Sequence, residues 1–293
     1  MHNVQEMSGR QSEITDLLLV PNGAGGAVPA RRDDVVAQMR AGGQPRAARV
    51  VSRLPIDSSG VLVGVDELFV RVHCELQRLS EELQMPRRLT ETIRAWAEPL
   101  LQTPGPVRVV DVGCGIGFSI RWMAAHKVLD PRVELVGCDL NPVLVANARQ
   151  LASTERLPCE FIVGDALDMS AGIVTTPART LLISSGVLHH FDEATLQTFF
   201  RRHADLEVNA FCHFDISPGP WAVLGAWLFH AARMREPVSR HDGVLSARRA
   251  FPAPVLLGAA RAGAPGYDVT CIDNSRWRPA MSDVLRPLTG RRR

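Results

Sequence analysis

Apolar and polar positions divide this chain into three kinds of pattern. Over residues 1–60 no period of 2 or 3.6 lasts more than a few positions, and VPNGAGGAVPARRDDVVAQMRAGGQPRAARV is rich in Gly, Pro, Arg and Ala. A mobile opening tail followed by an irregular lead-in is expected there. From Val65 onward, Val65, Leu68, Phe69, Val72, Leu76, Leu79 and Leu83 recur at spacings of 3 and 4, which predicts an amphipathic helix. A second helix is expected over residues 89–101, with Ile93, Trp96, Ala97 and Leu100 on one face and Pro104-Gly105-Pro106 stopping it. Residues 61–104 thus read as a helical cover.

From Val107 the pattern becomes short apolar runs alternating with helical segments. VRVVDVG, VELVGCD, CEFIVGD, TLLISSG and VNAFCHFDI predict strands, and the helix after the fourth has Asp192 as its expected N-cap. Segments around Tyr267–Asp273 and Asp283–Leu288 predict a terminal hairpin, bringing the strands to seven. Such alternation is the mark of an α/β fold, a Rossmann-like, doubly wound and mostly parallel sheet with helices on both faces. Residues 105–293 then form one domain, with an insert over about 216–266 that the alternation does not need. Within the insert, Trp221, Leu224, Trp227, Leu228 and Met234 fall near one helical stripe, either packing under a lid or facing an apolar ligand. Arg240-His241-Asp242-Gly243 reads as a polar turn. Arg233, Arg235, Arg240, Arg248 and Arg249 either grip an anionic group or form a solvated rim.

Charge changes the picture mostly by exclusion. The chain has 293 residues, with 33 basic against 31 acidic side chains and a net charge of +2, so it is no polycation for nucleic acid or anionic membrane, local patches aside. Lys127 is the only lysine, which removes a Gly-Lys-Ser/Thr phosphate loop and leaves one candidate for Schiff-base chemistry. Tyr267 is likewise the only tyrosine. The six cysteines are scattered without a CxxC pair and read as reduced, buried thiols. No signal-peptide pattern opens the chain, and the longest apolar stretch, Trp221 to Ala232, is too short to span a bilayer. A cytoplasmic protein without a membrane span is expected.

The strongest chemical signal is Asp111-Val112-Gly113-Cys114-Gly115-Ile116-Gly117, between an apolar strand and a helix. Glycines allow a tight turn and close approach of a ligand to the backbone. A dinucleotide fingerprint would space them Gly-x-Gly-x-x-Gly around a pyrophosphate, which an acid inside the loop would repel. Here the acid suits a cationic ligand. Asp139 ends the second strand, where it can accept from both hydroxyls of a ribose, and Asp165 ends the third, placed for the exocyclic amine of an adenine. Three acids at three consecutive strand ends make a nucleoside pocket carrying a positive group.

With these residues the chain resembles the class I S-adenosylmethionine-dependent methyltransferases, in their small-molecule, natural-product and quinone-like branch. DVGCGIG is similar to their first motif, CDLNP to the ribose motif and GDAL to the adenine-side motif, over about Val107 to Ile216. The resemblance implies S-adenosyl-L-methionine as cofactor. It places Asp111, Gly113, Cys114, Gly115, Gly117, Asp139, Leu140, Asp165, Ala166 and Ser185 around it. The fourth strand ends in SSGVLHHF and lacks the Asn/Asp-Pro-Pro-Tyr/Phe of amino-directed DNA methyltransferases, which disfavours nucleobase-amine methylation.

Methyl transfer from a sulfonium needs alignment first, and a base when the acceptor is a hydroxyl or an acidic carbon. Histidine suits that role. Four of the nine histidines lie where the motifs put the pocket or its insert: His189, His190, His213 and His241. His189 and His190 cannot both point into one pocket from an extended segment. His213 and Asp215 alternate onto one face of the fifth strand, as a base with its orienting carboxylate or as a satisfied buried pair. No metal motif is recognisable, and none is expected. The expected function is O-methylation, ahead of C-methylation, of a small lipophilic or phenolic secondary metabolite. RNA methylation and an idle cofactor-binding partner protein are the alternatives. No nucleic-acid partner is expected, and a homodimer is allowed.

Overall fold

The computed structural model describes residues 11–22, 27–169, 179–272 and 284–293. The chain clusters into two compact units, one of the residues up to Glu75 with Gly219–Arg249, the other of Leu76–Pro218 with Ala250–Arg293.

The first unit begins with α1 (Ile14–Leu17), the antiparallel strands β1 (Leu19–Pro21) and β2 (Ala27–Pro29), and helices α2 (Arg32–Ala41) and α3 (Pro45–Val51). Two helices thus stand where an irregular lead-in is expected; the opening tail, residues 1–10, lies outside the described residues. Each helix is too short for its period to stand out in sequence, yet each has a physical basis. Asp33 and Asp34 sit in the first turn of α2, favourable to the helix dipole, while Val35, Val36 and Met39 are buried. Pro45 opens α3 at a position where no N–H is needed.

Helix α4 (Val65–Glu82) buries Val65, Leu68, Phe69 and Val72, as its spacing predicts, and the unit boundary falls inside it after Glu75. In the second unit come α5 (Met85–Leu100), β3 (Val107–Val112), α6 (Phe118–His126), β4 (Val133–Asp139), α7 (Pro142–Glu155), β5 (Glu160–Val163), β6 (Arg179–Ser185), α8 (Glu193–Asp205) and β7 (Ala210–Ile216). The chain then returns to the first unit for α9 (Pro220–Arg233) and α10 (Pro237–Arg249). It closes in the second with α11 (Ala253–Gly263), β8 (Tyr267–Cys271) and β9 (Leu285–Arg292).

The seven strands of the second unit run in the order β5-β4-β3-β6-β7-β9-β8. All pairings from β5 to β7 are parallel, whereas β9 lies antiparallel between β7 and β8, so the expected terminal hairpin forms. Asp283, at its expected second segment, lies outside the described residues. Alternation along the strands feeds two cores. Val107, Val109, Leu181, Ile183, Cys212 and Phe214 pack with α5, α6 and α7 side chains such as Leu89, Ile93, Ile120 and Val145. Val110, Val112, Leu182 and Phe211 pack with Phe199 and Phe200 of α8 and with Leu256 of α11. Helix α5 is therefore a layer of the sheet's own core rather than a cover. The order reverses at β3: the chain steps from it to β4 and β5 on one side, and β6, next in sequence after β5, lies on its other side, so the C-terminal ends of β3 and β6 are the switch point where such sheets take ligands.

Inside the first unit the insert departs from expectation in two ways. Arg240-His241-Asp242-Gly243 is helical, inside α10, and Gly243 is required because a Cβ there would stand 2.0 Å from the ring of His230 on α9. The buried Asp242 carboxylate accepts the backbone N–H groups of Ile14 and Thr15 at 2.8 and 3.0 Å, which fixes α1. Arg249 is no rim residue: it is buried, 3.1 Å from Asp16 and 3.6 Å from Glu13. Of the apolar stripe only Met234 is core, while Trp221, Leu224, Trp227 and Leu228 are exposed. No helix among the described residues is long and apolar enough to cross a membrane.

Candidate active site

The glycine loop follows β3 directly. Gly113, Gly115 and Gly117 have φ of 72°, 56° and 73°, left-handed conformations that other residues adopt at a cost. Backbone N–H groups of Gly113 and Cys114 donate to the Cys138 carbonyl at 2.8 and 3.0 Å, tying the loop to the end of β4. Space matters as much as φ. A Cβ on Gly117 would lie 2.2 Å from the Phe161 ring, and one on mid-strand Gly137 would meet the same ring at 2.4 Å. Phe161 therefore wedges loop, β4 and β5 together. Sequence reasoning missed it, although a glycine inside an apolar strand signals such close approach.

The three acids stand at successive strand ends. Asp139 accepts from Gly115 N–H at 2.8 Å through Oδ2 and from Asn141 N–H at 2.9 Å through Oδ1. Asp165 accepts from Leu167 N–H at 2.8 Å. Asp111 is buried, and that burial, together with the nearby Asp139 charge, pushes its carboxyl up to about 8. Among the described residues no basic side chain pairs with Asp111 or Asp139. Two adjacent carboxylates short of a counter-charge, beside exposed backbone at Gly113, suit a cationic ligand. Leu140 is 57% exposed beside Asp139, an apolar surface open to a base. Ala166 is half-buried next to Asp165, and Ser185 is half-buried at the end of β6. Burial raises the Cys114 and Cys138 thiols, the latter to about 12, so neither offers a thiolate nucleophile.

The end of β6 meets the same loop: a Cβ on Gly113 would lie 2.6 Å from a methyl of Val187. There the histidine pair is not extended. Leu188–His190 is a 3-10 turn, so the two rings lie close together, with centroids 4.4 Å apart, rather than on opposite faces. His189 Nδ1 is 2.8 Å from Asp215 Oδ1, and its backbone N–H donates to Asp215 Oδ2 at 2.9 Å. Burial would raise the Asp215 carboxyl, but the His189 charge and hydrogen bond, with backbone N–H donors of Ile216 and His189, hold it below the usual range. An ionised Asp215 accepts from His189 Nδ1 and so fixes a proton of the imidazole on that nitrogen.

His213 does not pair with Asp215. It is fully buried, its Nδ1 2.8 Å from Ser184 Oγ and its Nε2 2.9 Å from His203 Nε2. His203 Nδ1 in turn faces the Phe199 carbonyl at 2.8 Å. A carbonyl can only accept, so His203 carries its proton on Nδ1, His213 on Nε2, and Ser184 donates to His213. Burial drives both imidazoles down, His203 to about 3 and His213 well below normal, the latter also through His203. Both are neutral core residues. His241 belongs to the other unit, where its Nδ1 lies 2.9 Å from Asp242 Oδ1. The single tyrosine is equally committed, its hydroxyl donating to the carbonyls of His203 and Val208. Lys127 is an exposed helix cap with φ 49°. As Asp192 Oδ1 accepts from Thr195 N–H at 2.7 Å, α8 has its expected N-cap.

Residues 109–206, the stretch holding every one of these strand ends except that of β7, match the family model described as a methyltransferase domain. This segment is similar to a methyltransferase domain. S-adenosylmethionine is the cofactor of such a domain, and the acids and glycines above fit its cationic, nucleoside-bearing form. Over 63 residues the chain is 43% identical to the chloroplastic tocopherol O-methyltransferase of Arabidopsis thaliana, a match covering 21% of this chain and 17% of that protein. Among solved structures, the citrinin polyketide synthase CMeT domain is similar at 17% identity, covering 69% of this chain and 52% of that one with a TM-score of 0.47. Magnesium protoporphyrin IX methyltransferase from Synechocystis PCC 6803 is similar at 14% identity, covering 89% and 100%, with a TM-score of 0.44.

Proposed function

We propose that the methyltransferase domain methylates the oxygen of a small, lipophilic acceptor bearing an acidic hydroxyl, a phenol in preference to a carbon acid. The observation that carries this reading is the buried His189–Asp215 pair beside the glycine loop, a base already oriented by its carboxylate. When bound, S-adenosylmethionine supplies an electrophilic methyl on a cationic sulfur. Asp139 and Asp165 hold the ribose and adenine, and Asp111 faces the amino-acid end, its carboxylate favoured once a positive group lies beside it. His189 would take the hydroxyl proton as the acceptor oxygen receives the methyl, the cofactor supplying both that methyl and a thioether leaving group that keeps the bonding electron pair. The imidazolium so formed is stabilised by Asp215, and no acid is needed for the leaving thioether. The name of the tocopherol relative points toward the same acceptor class, over the short stretch that matches. In this reading the cofactor site comprises Asp111, Gly113, Cys114, Gly115, Gly117, Asp139, Leu140, Asp165, Ala166 and Ser185, with His190 flanking the base.

The test is transfer of label from methyl-labelled S-adenosylmethionine by the full chain to a panel of phenols, carbon acids and RNA. Label is expected in an organic-extractable methyl ether. Label in RNA alone, or none at all from folded protein that binds S-adenosylhomocysteine, sinks the proposal.

A further inference from the structure

Arg121 lies in the first turn of α6, just past the glycine loop, and its side chain is buried. Its guanidinium forks to three elements of the second unit. Nη1 pairs with Glu155 Oε1 of α7 at 2.6 Å, and Nη2 donates to Gln77 Oε1 of α4 at 3.4 Å. Nε donates to the Ile116 carbonyl of the loop at 3.4 Å. Gln77 gives its own N–H to Glu81 at 2.9 Å, which leaves its oxygen for Arg121. The backbone N–H of Arg121 donates to the next carbonyl, that of Gly117, at 2.9 Å. One residue thus grips two successive carbonyls where the loop enters α6, one through its main chain and one through its side chain.

Ile116 stands between Gly115 and Gly117, whose φ of 56° and 73° belong to the least restrained part of the loop. A peptide unit is planar and trans, so its C=O and N–H point opposite ways. Holding the Ile116 carbonyl therefore sets the direction of the Gly117 N–H, which donates to the Cys114 carbonyl at 2.9 Å and closes the turn. Asp139 holds the neighbouring Gly115 N–H at 2.8 Å. We propose that Arg121 is a positioning residue for the cofactor: acting through Ile116, it holds the glycine loop in the shape that receives the ligand. The proposal rests on the cofactor site argued above and is independent of which atom is methylated. The charge of Arg121 goes to Glu155, so Asp111 and Asp139 keep theirs for a cationic ligand. A plain ion pair between α6 and α7 would need only a point charge, which lysine supplies. Three acceptors on three elements need the planar fork of a guanidinium.

Calorimetry with S-adenosylhomocysteine and hydrogen exchange of the ligand-free loop, both on the full chain, test it. Arg121→Lys keeps a cation for Glu155 and loses the fork. Its affinity should fall about tenfold, the loss of one charge-assisted hydrogen bond, with the melting temperature nearly unchanged. Exchange at the Gly117 N–H should quicken by about the same factor. Glu155→Gln keeps an acceptor for Nη1 and leaves Nε on the loop, so its affinity should stay within about twofold of wild type. Wild-type affinity in Arg121→Lys overturns the proposal. So does an equal loss in Glu155→Gln, which would make the ion pair the whole of the residue's role. Unprotected Gly117 N–H in the ligand-free wild type overturns it as well, whether or not any variant folds. No binding by the folded wild type brings down the cofactor site and this proposal with it, whereas binding that Arg121→Lys shares in full brings down the proposal alone.

Discussion

At Ser184 and His213, paired across β6 and β7, the sheet carries a closed relay of neutral groups; two residues further along β7, on the same face, Asp215 holds an ionised carboxylate against His189. Residue types are nearly the same in the two places, and the outcomes are opposite. In the relay every ring nitrogen has a partner inside the core and burial suppresses protonation. In the dyad two backbone N–H groups and an imidazole support a charge at the strand end. Depth along the strand, not side-chain chemistry, separates a structural histidine from a candidate base.

The largest effect that could break this comparison is on turnover. His189→Ala should slow methyl transfer by about 10²–10⁴-fold, and Asp215→Asn comparably, with binding of S-adenosylhomocysteine unchanged. Normal rates in either variant would return the dyad to the structural class. Next, Gly117→Ala puts a Cβ 2.2 Å from Phe161 at φ 73°, and should weaken cofactor binding at least about a hundredfold or unfold the domain. Calorimetry and a melting curve read either result, and an unaffected variant contradicts the wedge.

The relay is sharpened by acid. Folded-state pKa values of His203 and His213 lie below the ordinary imidazole value. Their stabilising contribution is therefore complete above pH about 6.5 and is lost as pH falls toward 3. Two suppressed protons correspond to about 2–3 kcal/mol per pH unit at the steepest. His203→Leu with His213→Leu should flatten the fall of Tm between pH 6 and about 4, and an unaltered slope would mean the pair titrates normally. Smallest is the effect of Asp111→Asn. The raised Asp111 pKa disfavours the ligand-free fold as pH rises from about 4 through about 8. The variant should melt about 5 °C above wild type at pH 9 and level with it near pH 3. Its cofactor affinity should also lack the rise with pH that is expected of wild type below about 8.

Much of this was legible in sequence, because the signals were local. Strand runs, the glycine loop, Asp139 at a strand end and the Asp192 cap each follow from neighbours in the chain. What escaped were partnerships across strands and the fate of faces. Alternation correctly put His213 and Asp215 on one side of β7, but not that His203 of α8 would take the first and His189 the second. The apolar run in α9 read as core or ligand face because hydrophobic periodicity reports a stripe without saying what it meets. Helices α2 and α3, at 10 and 7 residues, were hidden by their length.

The proposed nucleoside site at the three strand-end acids is tested most directly at Asp139. Titration of S-adenosylhomocysteine into the full chain and into Asp139→Ala, whose wild-type carboxylate lies 2.8 Å from Gly115 N–H, tests this in one calorimetric comparison. Saturable one-to-one binding by the wild type, weakened about a hundredfold or more in the variant, is the predicted result. Equal affinities, or no heat from folded wild-type protein, would contradict it.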